Sequence, residues 1–356
     1  MRIFQLIDSL EPGGAERMAV NLANILAEKI AFSGLIATRN EGALKETISP
    51  KVCYSFLNKK SAIDFTAIFK LRRFVQMNDI KYLHAHSSSF FIACLLKLIY
   101  PSVKIIWHDH YGNSEFLNKR PYFVLQVMSL FFFKIIVVNE NLKKWCLQKL
   151  WCKQIIYLPN FPELTNSITS ETILKGTSGK RIISLANLRP QKNHFLILDI
   201  AVILSKKYPQ WSFHLIGKDF EDHYSETIKD RIIKNELQEF VYVYGSCNDI
   251  AAILAQVDIG IITSLSEGLP VALLEYGNFG IPVISSNVGD ITKVIQNGIN
   301  GIIIPNFEPK DFYQSIVHLI ENEELKNNMG KKLQEEINRN YSAHSVCHNY
   351  LEFINA

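Results

Sequence analysis

The sequence predicts an α/β protein of two domains, each built on a parallel β-sheet covered by helices. Short apolar segments alternate with longer amphipathic segments along most of the 356 residues. The apolar segments are near-continuous, which is typical of strands that are buried on both faces of a parallel sheet. A polar stretch at residues 165–180 interrupts this alternation, which then resumes. A chain of this length is sufficient for two domains of ordinary size.

The composition is that of a packed globular protein, with 48% hydrophobic and 20% charged residues. The net charge of +4 permits an anionic substrate or an acidic membrane surface and requires neither. The six cysteines include no Cys-x-x-Cys pair, so we expect buried thiols of a reducing compartment and no structural metal. No unbroken apolar segment reaches the roughly 20 residues that a membrane span needs.

The first domain is predicted to begin with a strand at 2–7 and a helix that extends to about residue 30. Gly13 and Gly14 lie between them, where paired glycines let a ligand approach the backbone; a tight turn would also explain them. The further predicted strands are 32–38, 52–57, 80–85, 103–107, 134–138 and 155–158. The further predicted helices are 64–76, 90–100 and 122–133.

Two histidines, His108 and His110, directly follow the predicted strand at 103–107. At the carboxyl end of a parallel strand they are placed to hydrogen-bond a ligand or to act as acid or base. Alternatively, one caps the strand while the other is solvated. His84 and His86 end the preceding strand in the same way, but a helix is predicted to follow at once, which makes them weaker candidates.

The polar stretch marks the predicted domain boundary, because its composition is that of a linker. We expect a first domain at residues 1–162, a linker at 163–179, a second domain at 180–340 and a final helix at 341–356. The final helix carries apolar side chains on one face and therefore needs a surface to pack against.

In the second domain, strands are predicted at 181–186, 211–216, 240–244, 257–262 and 282–285. The strand at 257–262 leads through a small polar loop and Gly268 to Pro270, at the expected first turn of a helix. This arrangement places backbone N–H groups at the carboxyl edge of the sheet. Anionic ligands bind at that edge in open α/β folds.

Charged side chains flank the same edge. Glu267 in the loop and Glu275 on the helix cannot bind a phosphate but suit the hydroxyl groups beside one. They could instead be a solvated loop charge and a surface helix residue. Arg189 and Lys192 follow the strand at 181–186, where they would clamp a diphosphate from two sides unless they are ordinary surface charges.

These motifs resemble family 4 of the retaining glycosyltransferases. The matching segments are Ser264 to Glu275 with its Glu-x7-Glu pair, residues 187–193, Gly13-Gly14-Ala15-Glu16 and Pro282-Val283-Ile284. The resemblance covers nearly the whole chain and implies the GT-B architecture. In that architecture, two Rossmann-like doubly wound domains face each other across a cleft, with the donor mainly on the second domain and the acceptor mainly on the first. The final helix crosses back to the first domain.

The resemblance further implies a retaining, metal-independent transferase. It would move a sugar from a nucleotide-diphosphate sugar to a hydroxyl of a glycan or lipid-linked saccharide, in bacterial surface polysaccharide synthesis, with no cofactor besides this donor. A sugar-nucleotide epimerase of the same fold and a catalytically silent glycan-binding partner are the alternatives. A nicotinamide-dependent dehydrogenase is disfavoured because no Gly-x-Gly-x-x-Gly follows the first strand.

Residue by residue, the resemblance implies two groups of functional positions. The expected catalytic residues are His110, His108, Glu267, Arg189 and Lys192, with His110 preferred over His108 for the contact with the donor sugar. The expected donor-binding residues are Gly13, Gly14, Asn187, Gly217, Ser264, Gly268, Leu269, Pro270, Val271 and Glu275. Many family members have Gly-Arg-Leu where this chain has Ala186-Asn187-Leu188, so we expect Arg189 to supply the missing guanidinium.

We expect a cytoplasmic protein with no nucleic-acid partner. Peripheral contact with the inner, anionic face of a membrane is a further hypothesis. It rests on the aromatic run Phe131-Phe132-Phe133-Lys134 together with Lys97, Lys119 and Arg120, which would suit a surface helix. The alternative is that the aromatic run belongs to the core.

Overall fold

The computed structural model describes residues 1–112, 117–161 and 172–356. The chain divides into two compact units. Unit 1 comprises Met1–Glu163 and Ala343–Ala356, and unit 2 comprises Leu164–Ser342. Most of the expected linker, at residues 163–171, lies outside the described residues.

Unit 1 contains a parallel sheet of seven strands. The strands are β1 (Arg2–Ser9), β2 (Phe32–Asn40), β3 (Cys53–Phe56), β4 (Tyr82–His86), β5 (Lys104–Asp109), β6 (Phe132–Val137) and β7 (Ile155–Tyr157). Their order in the sheet is β3-β2-β1-β4-β5-β6-β7. The succession reverses between β1 and β4, which is the topological switch point of a doubly wound fold.

Unit 2 contains a parallel sheet of six strands. The strands are β8 (Arg181–Leu185), β9 (Ser212–Ile216), β10 (Val241–Gly245), β11 (Ile259–Ile262), β12 (Val283–Ser286) and β13 (Ile302–Ile304). Their order is β10-β9-β8-β11-β12-β13, so the switch point lies between β8 and β11. Ligands of open α/β sheets bind at such a point.

Helices connect the parallel strands in both units. Unit 1 has α1 (Gly14–Ala27), α2 (Phe65–Met77), α3 (Phe90–Ile99), α4 (Phe123–Met128) and α5 (Glu140–Lys149). Unit 2 has α6 (His194–Lys207), α7 (His223–Lys234), α8 (Ile250–Leu254), α9 (Val271–Asn278), α10 (Ile291–Val294), α11 (Pro309–Glu321) and α12 (Glu323–Glu336). The final helix, α13 (Ala343–Asn355), belongs to unit 1.

Helix α13 packs into the core of unit 1. Val346, Tyr350 and Ile354 recur at helical spacing and are buried in one cluster with side chains of α1 and of the sheet. The buried Lys134 of β6 donates a hydrogen bond to the carbonyl of Phe353. The apolar face that the sequence predicts for this helix is therefore covered by unit 1, and a hydrogen bond holds the C-terminal end of the helix to β6.

Three local expectations from the sequence are wrong. The helix expected at 122–133 ends at Met128, because Phe132 pairs with β5 and is buried as the first residue of β6. Pro270 precedes α9 rather than lying in its first turn. The thiols are free, but Cys53 is exposed, because β3 is the last strand at its edge of the sheet.

The aromatic run proposed for membrane contact is largely internal. Phe132 is buried, and Phe131 and Phe133 pack partly buried against the core. The expectation that this run dips into lipid is therefore wrong, because strand pairing turns it into the sheet. Among the described residues, the helices are too short or too polar to cross a bilayer.

Candidate active site

Two adjacent loops at the switch point of unit 2 are tied together by hydrogen bonds. The first loop follows β8 and contains the 3-10 turn Pro190–Lys192; the second follows β11. Thr263 Oγ1 donates to the carbonyl of Lys192 at 2.9 Å, and the Leu265 amide donates to the carbonyl of Gln191 at 2.8 Å. These bonds fix the side chains of both loops relative to each other.

Lys192 and Glu267 form an ion pair across these loops. Lys192 Nζ lies 2.5 Å from Glu267 Oε1, which also accepts a hydrogen bond from Ser264 Oγ at 2.6 Å. The Glu267 side chain is only 11% exposed and that of Lys192 is 21% exposed. Glu267 is therefore not a solvated loop charge. Three of the expected site residues are brought into direct contact.

The backbone from Gly268 to Pro270 leads into α9 and is braced by the loop after β12. Gly289 has φ +56°, and a Cβ at that position would lie 2.3 Å from the carbonyl oxygen of Glu267. The Asp290 amide donates to the carbonyl of Gly268 at 2.8 Å. Glycine at 289 is thus required both by its left-handed backbone and by the close approach of this loop.

The N-terminus of α9 carries no side-chain cap. Its first amides, beginning with Val271, have no acceptor within the helix and give this end a partial positive charge. Leu269 and Pro270 are buried, which fixes the direction of the helix. Glu275 is half-buried further along α9, and the neighbouring Tyr276 hydroxyl accepts a hydrogen bond from the Leu185 amide of β8 at 2.7 Å.

Asn187 and Gly217 hold the loop after β8 against the loop after β9. Asn187 Oδ1 accepts a hydrogen bond from the Lys218 amide at 2.8 Å. Gly217 has φ +154°, and a Cβ there would lie 2.2 Å from the carbonyl oxygen of Ala186. Both residues therefore have a local structural role at the edge where the sequence placed them.

Arg189 is exposed, and its guanidinium lies 4.7 Å from the centre of the Phe220 ring. Unlike Lys192, it does not meet Glu267 in the hydrogen bonds or ion pairs of the described residues. Its assignment as a substitute for the family arginine stays a prediction.

In unit 1, four histidines form one stacked group at the carboxyl ends of β4 and β5. Gln5 pairs in register with His84, and His86 with His108, so their side chains share one face of the sheet. Ring centroids of His84 and His86 are 4.4 Å apart, and those of His108 and His110 are 4.0 Å apart. We call His84, His86, His108 and His110 the histidine stack.

Hydrogen bonds join the histidine stack to its neighbours. His86 Nε2 lies 2.8 Å from Gln5 Oε1, and His86 Nδ1 lies 3.0 Å from His110 Nε2. The Tyr350 hydroxyl lies 2.9 Å from His84 Nδ1. His84, His86 and His108 are fully buried, and His110 is half-buried. The alternative that one of His108 and His110 caps the strand and the other is solvated is therefore wrong.

Burial keeps these imidazoles neutral. It lowers the pKa of His84, His86 and His108 well below the ordinary histidine value, and it lowers the pKa of His110 to about 3. Neighbouring imidazoles lower the pKa of the first three further. At neutral pH the stack therefore offers hydrogen-bond donors and acceptors rather than positive charge.

Among the described residues, His84, His86 and His108 could each offer one nitrogen within 4.8 Å of the others to a metal ion. Both nitrogens of His86 already face hydrogen-bond partners. His84 Nε2 and both nitrogens of His108 have none among the described residues. The expectation of a protein without a metal stays a prediction.

Gly13 and Gly14 lie at the start of α1. Gly13 is extended, Gly14 is the first helical residue, and the Arg17 amide donates to the carbonyl of Gly13 at 2.9 Å. A Cβ at Gly13 would lie 2.3 Å from Glu16 Oε2. The glycine thus leaves room for a carboxylate in the first turn, where the helix dipole stabilises it.

The sequence reasoning missed an ion pair beside the histidine stack. Arg120 donates to both carboxylate oxygens of Asp109, at 2.6 and 2.9 Å, and their side chains are 10% and 2% exposed. The Arg120 guanidinium also lies 4.5 Å from the ring centre of Trp145. An aspartate at a strand end and an arginine eleven residues later carry no recognisable spacing, so folding alone reveals this pair.

Gln5, Tyr350 and the full extent of the histidine stack were also missed. The available signal was the repetition of His-x-His at the ends of two successive strands, at 84–86 and 108–110. Because neighbouring parallel strands end at one edge, that repetition predicts four imidazoles side by side. Nothing in the sequence joins Tyr350 to them, since it is 266 residues from His84.

Comparison with known proteins identifies the family. A family model described as glycosyl transferases group 1 matches residues 168–336, and one described as Glycosyltransferase Family 4 matches residues 12–164. The chain belongs to glycosyltransferase family 4. The resemblance to family 4 that the sequence motifs suggested is therefore confirmed. The role of the Glu-x7-Glu pair in Ser264 to Glu275 stays a prediction.

Curated relatives of this family 4 chain extend over most of its length. An uncharacterized glycosyltransferase of Haemophilus influenzae is 24% identical over 90% of both chains. A protein of Escherichia coli named UDP-Gal:alpha-D-GlcNAc-diphosphoundecaprenol alpha-1,3-galactosyltransferase is 23% identical over 86% of this chain and 82% of its own.

The Anabaena protein HepE, solved in complex with UDP and glucose, has the same fold. It superposes with a TM-score of 0.80 at 16% identity, and the match covers the whole of both chains. This likeness confirms the expected GT-B fold for the family 4 chain.

Proposed function

We propose that this protein transfers a sugar from a nucleotide-diphosphate sugar to a hydroxyl of a glycan or lipid-linked saccharide, with retention at the anomeric carbon and without a metal ion. The observation that carries the proposal is the contact of Lys192 and Ser264 with Glu267 at the switch point of unit 2. It sets a cation, a carboxylate and an uncapped helix N-terminus at one sheet edge. That set matches a diphosphate with hydroxyl groups on either side.

The chemistry proposed for this edge is electrostatic. As the bond between the anomeric carbon and the phosphate oxygen breaks, negative charge develops on the leaving diphosphate. Lys192 and the N-terminus of α9 then stabilise the transition state more than the bound donor. The acceptor hydroxyl forms the new bond to the anomeric carbon on the same face, and its proton passes to the departing phosphate. No side-chain nucleophile takes part.

Glu267 is the counter-charge of Lys192 before a donor binds in this scheme. The diphosphate must therefore compete with Glu267 for the ammonium group of Lys192. Once Lys192 turns to the phosphate, Glu267 keeps the Ser264 hydrogen bond and gains an acceptor oxygen for a sugar hydroxyl. In this scheme the ion pair between Lys192 and Glu267 is replaced by two contacts with the donor, one from Lys192 to the phosphate and one from Glu267 to a sugar hydroxyl.

The acceptor class is supported by the relatives. The E. coli relative is named for a sugar on diphosphoundecaprenol, which is a lipid-linked saccharide. A relative from Staphylococcus aureus is named poly(ribitol-phosphate) alpha-N-acetylglucosaminyltransferase, after a polymeric acceptor. We propose an acceptor of one of these two kinds, in the synthesis of a bacterial surface polysaccharide.

A surface of unit 1 supports peripheral contact with a membrane on the cytoplasmic side. Phe123, Val124 and Leu130 on and after α4 are more than half exposed. Trp151, which is 48% exposed, donates its amide to Ser129 Oγ, next to Leu130 in the chain. Lys153 is exposed in the same region. Exposed aromatic side chains with neighbouring lysines are typical of a protein that rests on anionic lipid. We call Phe123, Val124, Leu130 and Trp151 the α4 surface.

The test is a panel of nucleotide-diphosphate sugars, each incubated with the purified protein and with saccharide and lipid-linked acceptors. We expect one donor to yield a product whose anomeric configuration, read by NMR, equals that of the donor. EDTA is expected to leave the rate unchanged. Inversion of configuration would exclude retention, and loss of activity in EDTA would exclude metal independence. Conversion of the donor sugar without any acceptor would identify an epimerase instead.

A further inference from the structure

A chain of hydrogen bonds runs through the buried part of the histidine stack to its half-exposed end. Gln5 Oε1 lies 2.8 Å from His86 Nε2, and His86 Nδ1 lies 3.0 Å from His110 Nε2. Gln5 and His86 are fully buried, whereas part of the surface of His110 is exposed to solvent. We propose that Gln5 and His86 are positioning residues that fix the tautomer of His110, so that His110 Nδ1 presents a lone pair to a substrate hydroxyl.

The donors and acceptors follow in order from Gln5. A neutral imidazole has one N–H and one lone pair. Because Gln5 Oε1 can only accept, His86 carries its proton on Nε2 and its lone pair on Nδ1. His86 Nδ1 then accepts from His110, so His110 carries its proton on Nε2. The lone pair of His110 is left on Nδ1, the ring nitrogen that does not face His86.

Neutral rings are necessary for this chain. If His86 were protonated, its Nδ1–H would face the Nε2–H of His110 across 3.0 Å. If His110 were protonated, no lone pair would remain on its Nδ1 for a substrate. The low pKa that burial gives both rings excludes both states at neutral pH. The hydrogen bonds therefore run in one direction, from His110 to His86 and from His86 to Gln5, over the pH range in which an enzyme of this class works.

The other members of the stack hold the rings in place without taking part in the chain. The His108 ring packs against that of His110 at a tilt of 35°, with centroids 4.0 Å apart. Neither ring nitrogen of His108 has a hydrogen-bond partner among the described residues. His84 stacks on His86 and bonds to the Tyr350 hydroxyl. These contacts limit rotation of the imidazoles but do not choose which nitrogen of His110 carries the proton.

A neutral acceptor selects the class of ligand group. A lone pair on His110 Nδ1 binds an O–H or N–H donor and does not bind a phosphate oxygen, which offers no proton at neutral pH. Sugar hydroxyls are donors of the required kind. The inference rests on the proposed function insofar as His110 contacts a sugar, but the tautomer itself is a property of the free protein.

The tautomer can be measured without substrate. In protein labelled with ¹⁵N-histidine, the ring nitrogen shifts distinguish protonated from unprotonated nitrogens, and the His110 signals are assigned from their loss in His110→Asn. We expect an unprotonated Nδ1 and a protonated Nε2 in the wild-type protein. A proton on His110 Nδ1 would mean that the Gln5 amide faces His86 with its nitrogen, and would overturn the proposal.

The variant Gln5→Met tests the origin of the tautomer. Methionine has a volume close to that of glutamine but leaves His86 Nε2 without an acceptor, so we expect the proton of His86 to move to Nδ1. His110 must then accept on Nε2 and carry its proton on Nδ1. The rate of transfer is expected to fall about tenfold, the size of one lost neutral hydrogen bond. An unchanged His110 spectrum would contradict the role of Gln5.

Tyr244→Phe is the matched control, since it removes a tyrosine hydroxyl that bonds to a buried histidine, His214, in unit 2 and outside the chain. We expect the His110 tautomer to stay as in the wild type. If Gln5→Met fails to fold, the ring nitrogen shifts of the wild-type protein still decide the tautomer, and a proton on His110 Nδ1 would count against the chain. A tautomer that reverses in Gln5→Met without any change of rate would support the chain and count against contact of His110 with substrate.

Discussion

Lys192 Nζ and Glu267 Oε1 are in contact at 2.5 Å across two loops that lie 75 residues apart in the chain. Both residues were candidates for separate roles, one on a diphosphate and one on a sugar. Their pairing shows that the loops after β8 and β11 form one structure in unit 2. It also means that neither side chain can be changed without affecting the other.

Lys192→Met should reduce the rate constant for transfer by about 100-fold or more, because one charged donor to the leaving group is lost. The affinity for the nucleoside diphosphate should fall much less. Rates come from a product assay and affinity from calorimetry. Lys207→Met removes an exposed lysine paired with Glu321 and serves as the control, with both values expected to stay unchanged. Equal losses of rate and affinity in Lys192→Met would contradict a transition-state role.

Glu275→Gln should weaken binding of a nucleoside diphosphate by about tenfold to 100-fold, as expected for hydrogen bonds between a carboxylate and ribose hydroxyls. Calorimetry with the diphosphate alone is sufficient, since no transfer is needed. Glu324→Gln, in the first turn of α12, changes an exposed carboxylate and should leave the affinity as it is. If the two variants bind equally well, Glu275 does not contact the nucleotide.

Replacing Phe123 and Leu130 of the α4 surface by serine should weaken co-sedimentation with anionic liposomes by about tenfold or more, because two exposed apolar side chains are removed. The activity on a water-soluble acceptor should not change. Phe65→Ser on α2 is the control, since it removes an equally exposed phenylalanine elsewhere. Wild-type protein that stays in the supernatant would end the membrane proposal.

Asp109→Asn should lower the free energy of unfolding by about 3 kcal/mol, because it leaves the guanidinium of Arg120 buried without its counter-charge. The combined change Asp109→Asn and Arg120→Met should cost less than the sum of the single changes, since no charge then remains unpaired. Urea unfolding of the four proteins measures this coupling. Additive losses would mean that the pair contributes nothing beyond the separate side chains.

Stability should fall as the pH is lowered from about 7 to 5. Burial lowers the pKa of the histidine stack, of His194 to about 4 and of His214 to about 3, so these rings stay neutral in the folded protein. In the unfolded chain they bind protons below about pH 6.5. Each such histidine therefore contributes a loss of up to about 1.4 kcal/mol per pH unit in that range.

The measurement is the free energy of unfolding in urea at several pH values. His214→Phe should reduce the slope against pH, because one ring that titrates only in the unfolded chain is removed. Gln238→Asn, which changes an exposed side chain that does not titrate, should leave the slope unchanged. A stability that does not depend on pH between 7 and 5 would show that the buried histidines take up protons in the folded state.

The sequence by itself determined the fold class, the parallel strands and the edge at which functional groups gather. Near-continuous apolar segments are typical of strands buried on both faces of a parallel sheet, and parallel strands bring their carboxyl ends to one edge. Glu267, Lys192 and His110 were therefore chosen as candidates from their positions after strands. The predicted end of the helix at residue 133 was wrong because the pairing of Phe132 with β5 outweighs the local preference for a helix.

Only the tertiary structure decided which of these groups meet. The contact of Lys192 with Glu267, the bidentate pair of Asp109 and Arg120, and the bond of Tyr350 to His84 join residues whose separation in the chain carries no signal. Protonation was decided in the same way. The sequence does not show whether a histidine is buried, and only burial in the fold lowers the pKa of His110 and keeps its ring neutral beside His86.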